Sequence, residues 1–177
     1  QSWTTISTNF INAKGNATEI SSYGFHSVVS QTQQVLCKHG ILELFPVVQN
    51  YIMISDAFRF VLVFGTNDYG STTMDPMLIR WSNQDDPYNW TPDAANQAGS
   101  TRLSHGSQIV TTIQTRQEIL VLTDSSAYSL QYLGPPYVWQ PQLMGDNISV
   151  ISPNAVAQAS GIVYWMGVDK FYAYDGR

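Results

Sequence analysis

What most limits the fold of this chain is a series of short apolar runs, none of helical length. Runs rich in Val, Ile and aromatic residues, each bounded by Asn, Asp, Gly or Ser, occupy Tyr51–Ser55, Phe58–Phe64, Met77–Trp81, Gln108–Gln114, Glu118–Thr123, Ala127–Tyr132, Ala155–Ala159, Ile162–Met166 and Lys170–Tyr174. Short β-branched and aromatic runs between turn formers read as strands. Beyond residue 50 no window sustains a 3.6-residue apolar stripe. Pro92–Ala98 is the best helical candidate there, and it is short enough to read as a loop. The composition agrees. Only 12% of the 177 residues are charged, and Ser 18, Thr 14, Asn 10 and Gln 14 take up the polar share. Ser, Thr and Asn compete with helical backbone bonds, and Thr suits a pleated surface. The expected class is all-β.

The runs also repeat. Glu118–Thr123, a turn at Asp124-Ser125-Ser126 and Ala127–Tyr132 form one strand-turn-strand unit. A shift of 44 residues lays it on Ile162–Met166 and Lys170–Tyr174, placing Leu120 on Tyr164, Tyr128 on Tyr172 and Leu130 on Tyr174. Gln108–Gln114 and Ala155–Ala159 precede the two units at similar distance, and Phe58–Phe64 with Met77–Trp81 makes an earlier unit with a longer loop. Several antiparallel strands per ~40–50 residues is the spacing of β-propeller blades. The meanders of a β-sandwich would also align after such a shift. About three units fall short of the ~4–8 blades that close a propeller. With a start at Gln1 rather than Met, this leads us to expect a piece of a longer polypeptide. Residues 1–46 are less legible: Trp3–Ser7 suits a strand, Asn12–Thr18 a polar loop, Val28–Cys37 either strand or short helix, and Pro46 interrupts the apolar stretch Ile41–Val48. The expected division is an uncertain β-rich or inserted segment over 1–46 and propeller-like blades over 47–177.

Charge excludes several functions. Eight Lys and Arg face thirteen Asp and Glu, a net charge of −5, and the cations are scattered. Tight nucleic-acid binding draws on clustered cations that release counterions, and a polybasic membrane anchor needs the same clustering. The longest apolar run, Phe60–Phe64, is far below the ~18 residues of a spanning helix. A single cysteine, Cys37, allows no internal disulfide.

Motifs for chemistry are weak. Ser104-His105-Gly106-Ser107 sets a histidine between serines, yet adjacency in sequence does not make a triad, and a turn into the Gln108 strand is the plainer reading. Cys37-Lys38-His39, with His26, lacks the second pair that a zinc site requires. Asn67-Asp68 and Asp85-Asp86 lack the spacing of a calcium loop. Glycoside hydrolysis needs two carboxyl groups across a pocket, and the glutamates available are Glu19, Glu43 and Glu118. Ser82–Trp90 faintly resembles the structural Asp-box turn of sialidases but lacks its Gly and the Thr before Trp. Asn16, Asn89 and Asn147 open Asn-X-Ser/Thr triplets, which matter only in a eukaryotic secretory setting. No catalytic, cofactor-binding or metal residue is assigned, and no cofactor is expected.

A longer stretch is more specific. Asp75-Pro76-Met77-Leu78-Ile79-Arg80-Trp81-Ser82 leads to Asp85-Asp86-Pro87-Tyr88-Asn89-Trp90-Thr91-Pro92, then Asn96-Gln97-Ala98-Gly99-Ser100 and Gln114–Val121. It continues through Leu133-Gly134-Pro135-Pro136-Tyr137, Gly145–Ser149, Ser152–Ala155, Tyr164–Tyr172 and Asp175-Gly176-Arg177. This closely resembles the nozzle, hub or packaged-DNA stabilisation proteins of short-tailed bacteriophage tails, over roughly Val47–Arg177. The resemblance implies a β-propeller-containing virion subunit, non-enzymatic, in a homo-oligomeric ring, expected to be a hexamer. That ring would retain packaged duplex DNA and conduct it during ejection without sequence-specific contacts. Its other partners would be portal or adaptor proteins and tail fibres or spikes, and this segment would not insert in a membrane. Sparse charge suits a conduit, with Asp85, Asp86, Asp124, Asp146 and Asp169 at expected turns as candidates to face the lumen. The alternative is a glycan-binding or glycoside-cleaving β-propeller acting on host-surface carbohydrate.

Overall fold

The computed structural model describes residues 46–116 and 118–176. The expectations for Trp3–Ser7, Asn12–Thr18, Val28–Cys37, Cys37-Lys38-His39, His26, Glu19, Glu43 and Asn16 lie outside the described residues. Within them the protein is all-β, with eleven antiparallel strands and no helix. Chain order and sheet order coincide. The first sheet is β1 (Gln49–Ser55), β2 (Phe60–Asn67), β3 (Met74–Trp81) and β4 (Gly99–Arg102). The second is β5 (Ile109–Gln114), β6 (Glu118–Thr123), β7 (Ser126–Gly134) and β8 (Val138–Asp146). The third is β9 (Val156–Ala159), β10 (Ile162–Met166) and β11 (Phe171–Tyr174). Each of the nine expected runs contains a strand, though Phe58-Arg59, Gln108, Ala155 and Lys170 lie before the strands that follow them, and Pro92–Ala98 is a loop. β4 and β8 are additions that the apolar pattern did not announce.

The sheets stack face on face, with the second between the other two. Phe60, Leu62, Phe64 and Ile79 of the first sheet pack on Ile119, Val121, Tyr128 and Leu130 of the second. Because side chains alternate across a strand, Leu120, Leu122 and Ala127 point the other way and pack on Val163 and Trp165 of the third sheet. This is why β2 and β6 read as nearly continuous apolar runs: both of their faces are covered. On the far side of β2, Val61 and Val63 lie beneath Trp90, which is 1% exposed.

The connections follow from local chemistry. Gly65, at φ +61°, sits where the β2–β3 register shifts, the left-handed glycine of a bulge. Aromatic rings close one edge between the first two sheets: Phe58 and Tyr132 have centroids 4.5 Å apart, and Trp139 meets Phe60 edge-on at 5.7 Å. Edge-to-face rings satisfy the aromatic quadrupole while burying large areas. β8 carries Pro141, a residue without a backbone donor that sheets tolerate at their edges.

Candidate functional site

A cleft of about 520 Å³ carrying polar groups lies between one end of the second sheet and the third. Its walls come from the β5–β6 turn (Thr115, Arg116, Glu118), the end of β7 (Gln131, Tyr132), the β9–β10 turn (Ser160, Gly161) and the residues around Asp175 after β11. The β5–β6 turn is held by Thr115, whose N–H and hydroxyl both donate to the Glu118 carbonyl at 2.9 Å. Glu118 pairs with Gln131 across the sheet and points toward the third sheet. Its carboxylate accepts from the Tyr174 hydroxyl at 2.6 Å, from the Gln131 amide at 3.3 Å and, in a short contact, from the Ser129 hydroxyl. Burial, reinforced by the bond to Glu118 and its charge, pushes the Tyr174 hydroxyl far above the usual phenol range. Tyr174 therefore keeps its proton and acts as a donor that ties β11 to β6.

The arrangement is a pinned carboxylate with Arg116 and Asp175 along the same walls. It can hold a polar group by hydrogen bonding. Three of the carboxylate's acceptor positions are already used inside the protein. Glu118 was legible only as one of three glutamates and as the start of an expected strand. Its partners Ser129, Gln131 and Tyr174 were not, because they belong to other strands.

The remaining sequence candidates resolve into structure. Ser104 and His105 share a 2.9 Å contact between hydroxyl and Nδ1, and the His105 backbone N–H donates to the Tyr128 hydroxyl at 2.7 Å. Ser107 donates to Asp124 through its N–H at 2.8 Å and its hydroxyl at 2.6 Å, closing the turn over Gly106. A Cβ on Gly106 would lie 2.6 Å from the Thr123 hydroxyl, and its φ is +112°. Burial alone would raise the Asp124 carboxyl; the bonds from the Ser107 side chain and backbone and from the Gln108 N–H outweigh it and hold the group below the usual range.

Asn67 is buried, accepts the N–H groups of Val47 and Val48 at 2.6 and 3.2 Å and donates to the Ser71 carbonyl at 2.8 Å, which makes it a loop clamp. Asp85 pairs with Arg59 at 3.0 Å, and Asp86 accepts from the Tyr88 N–H at 3.1 Å. Asp169 pairs with Lys170 at 3.7 Å. One expectation needs correction: Asp146 is not in a turn but closes β8, where it accepts from Ser126 at 2.8 Å, because β8 runs on past the Gly145 that suggested a loop. Among the described residues no group of three or more His, Cys, Asp or Glu could hold a metal. No helix among them is long and apolar enough to cross a membrane.

No family model matches this chain, and no curated protein matches it.

Proposed function

We propose that this chain is a structural segment of a bacteriophage tail nozzle or hub. In this reading the three meanders are consecutive blades of a β-propeller-like subunit in the virion. Subunits assemble as a ring, a hexamer, which retains packaged DNA and conducts it during ejection. The observation that carries the reading is the order of the sheets: three antiparallel meanders follow one another in sequence and stack face on face. Radially repeated four-stranded meanders are the building unit of propellers. They also cover the same residues, Val47 onward, that carry the resemblance to tail proteins.

Electrostatics supports a low-friction conduit. Arg59, Arg102 and Lys170 are each ion-paired with a carboxylate, and Arg80 is buried under the Tyr69 ring at 4.0 Å. Each cation that gripped a phosphate would release counterions and add a barrier to sliding. Portal or adaptor proteins above the ring and fibres or spikes around it are the partners of this reading. The role is geometric, with no catalysis.

The test is location. Antibodies raised against this chain and carrying gold should label the tail of the parent virion, at the portal-proximal end. Label on the capsid or fibres, or its absence from purified virions, would contradict the reading. A second reading, a glycan-directed propeller, rests on the polar Glu118 cleft. Reproducible binding on a glycan array, lost in Arg116→Ala, would favour it over the structural role.

A further inference from the structure

The cations of the protein are not equivalent. Arg59, Arg102 and Lys170 each meet a carboxylate, and Arg80 is buried against the Tyr69 ring. Among the described residues Arg116 alone makes neither an ion pair nor a ring contact, and it is exposed. It lines the cleft between the second and third sheets, and so do Glu118 and Asp175. Both sheets belong to this chain, so the cleft is an internal junction between two meanders.

The polar groups of the cleft are held in place before any ligand arrives. Arg116 sits on the β5–β6 turn that Thr115 locks to the Glu118 carbonyl. On the third sheet, Ser160 and Gly161 close the β9–β10 hairpin at φ +52° and +83°. A two-residue hairpin loop of this kind is left-handed at both positions, which fixes the backbone of that wall. The Glu118 carboxylate is fixed by neutral donors: Oε2 accepts from Ser129 and Gln131, and Oε1 from Tyr174 alone. A carboxylate has about four acceptor positions, so one on Oε1 stays open.

One guanidinium beside two carboxylates selects among ligands. A cation would meet Arg116. A phosphodiester would satisfy Arg116 but brings no hydroxyl donors for Glu118 and Asp175, which would repel it. A single carboxylate flanked by hydroxyls suits all three groups. We propose that the cleft binds an acidic sugar residue, a uronate or sialate, with its carboxylate on Arg116 and its hydroxyls donating to Glu118 Oε1 and Asp175. The planar fork of arginine matches a carboxylate through two parallel bonds. The volume, about 520 Å³, lies in the usual range of small-ligand pockets. This names the ligand class for the glycan-directed reading of the cleft, and it rests on that reading for the premise that the cleft recognises carbohydrate.

The test is a paired titration followed by nuclear magnetic resonance of the arginine side chains. Sialyllactose and a glucuronate-containing tetrasaccharide are compared with lactose, their neutral counterpart, and with inorganic phosphate. The acidic sugars should bind at least about 10-fold more tightly than lactose, the scale of one charge-assisted contact, and should shift the Arg116 resonance. Arg116→Ala should erase that preference, and Arg116→Lys should keep part of it, because an ammonium supplies charge without the fork. Far-UV circular dichroism checks that both variants are folded. Three outcomes overturn the proposal. Equal affinity for lactose and the acidic sugars, lost in Arg116→Ala, would leave a glycan site without the acid selectivity. Phosphate binding as tight as the acidic sugars would make Arg116 a general anion contact. Absence of any sugar binding at millimolar concentration would refute both this inference and the glycan-directed reading. The tail-subunit reading is decided separately, by labelling of the virion.

Discussion

β6 and β10 occupy the same place in two successive meanders, 44 residues apart, and differ in what surrounds them. Leu120 in β6 is fully buried, whereas its counterpart Tyr164 in β10 is half exposed. Both strands alternate, and both turn one face toward the preceding sheet. The difference is the neighbour: among the described residues β6 lies between two sheets and β10 packs against one. Side-chain pattern thus sets which residues share a face, while burial is set by what stacks on that face. Tyr164, Met166 and Phe171, at the end of the described stack, stay exposed although they are apolar.

Substitutions can break this comparison. Trp90→Ala should lower stability by about 3–5 kcal/mol, since it uncovers Val61 and Val63 and leaves a large cavity. Phe171→Ala, at the bare end, should change the stability of the dilute chain by no more than about 0.5 kcal/mol. Urea denaturation of both variants decides it; equal losses would mean that the third sheet is covered in solution. Leu120→Ala should cost about 2–5 kcal/mol against a near-neutral Tyr164→Ala, a contrast of the same kind between equivalent positions.

Glu118→Gln sharpens the contrast from the polar side. The amide cannot accept from Ser129, Gln131 and Tyr174 together, so a loss of about 1–3 kcal/mol is expected. Hydrogen exchange should accelerate in β11 more than in β2, because Tyr174 ties β11 to the second sheet. Equal acceleration in the two strands would remove Glu118 from that role. The smallest effect is titration. A carboxyl held lower in the folded protein adds stability that is complete above its unfolded value, ~3.9, and is lost as pH falls through the folded one. Asp124 and Asp75 both behave this way, so the urea midpoint should fall as pH drops below about 4. The fall should be shallower in Asp124→Asn; an unchanged slope would show that the turn bonds to Ser107 and Gln108 do not persist in solution.

Much of the fold was legible because burial on both faces leaves apolar runs that local sequence displays. β2 and β6 are such runs, and the 44-residue repeat maps forward faces onto forward faces. The fourth strands were not legible. β4 is Gly-Ser-Thr-Arg, with no apolar residue, and is a strand because its backbone pairs with β3. β8 contains Pro141 and Gly145, which read as loop, and follows Pro135-Pro136; only pairing with β7 reveals it. The candidate site was less legible still. Glu118 was one of three glutamates in the sequence and not assigned to a site, and the cleft is assembled from residues up to 61 positions apart, Thr115 to Gly176. The serine-histidine turn, conspicuous in sequence, proved to be a clamp on Tyr128 and Asp124.

The central claim, that these meanders belong to a ring around a DNA channel, is tested most directly by cryo-electron microscopy of the tail from the parent virion. The account predicts a symmetric ring below the portal. Density for the stacked sheets, identified by Trp90, Trp139 and Trp165, should repeat around an axial channel wide enough to admit duplex DNA. A tail in which these sheets form a separate peripheral body, away from the channel and without rotational repetition, would contradict it.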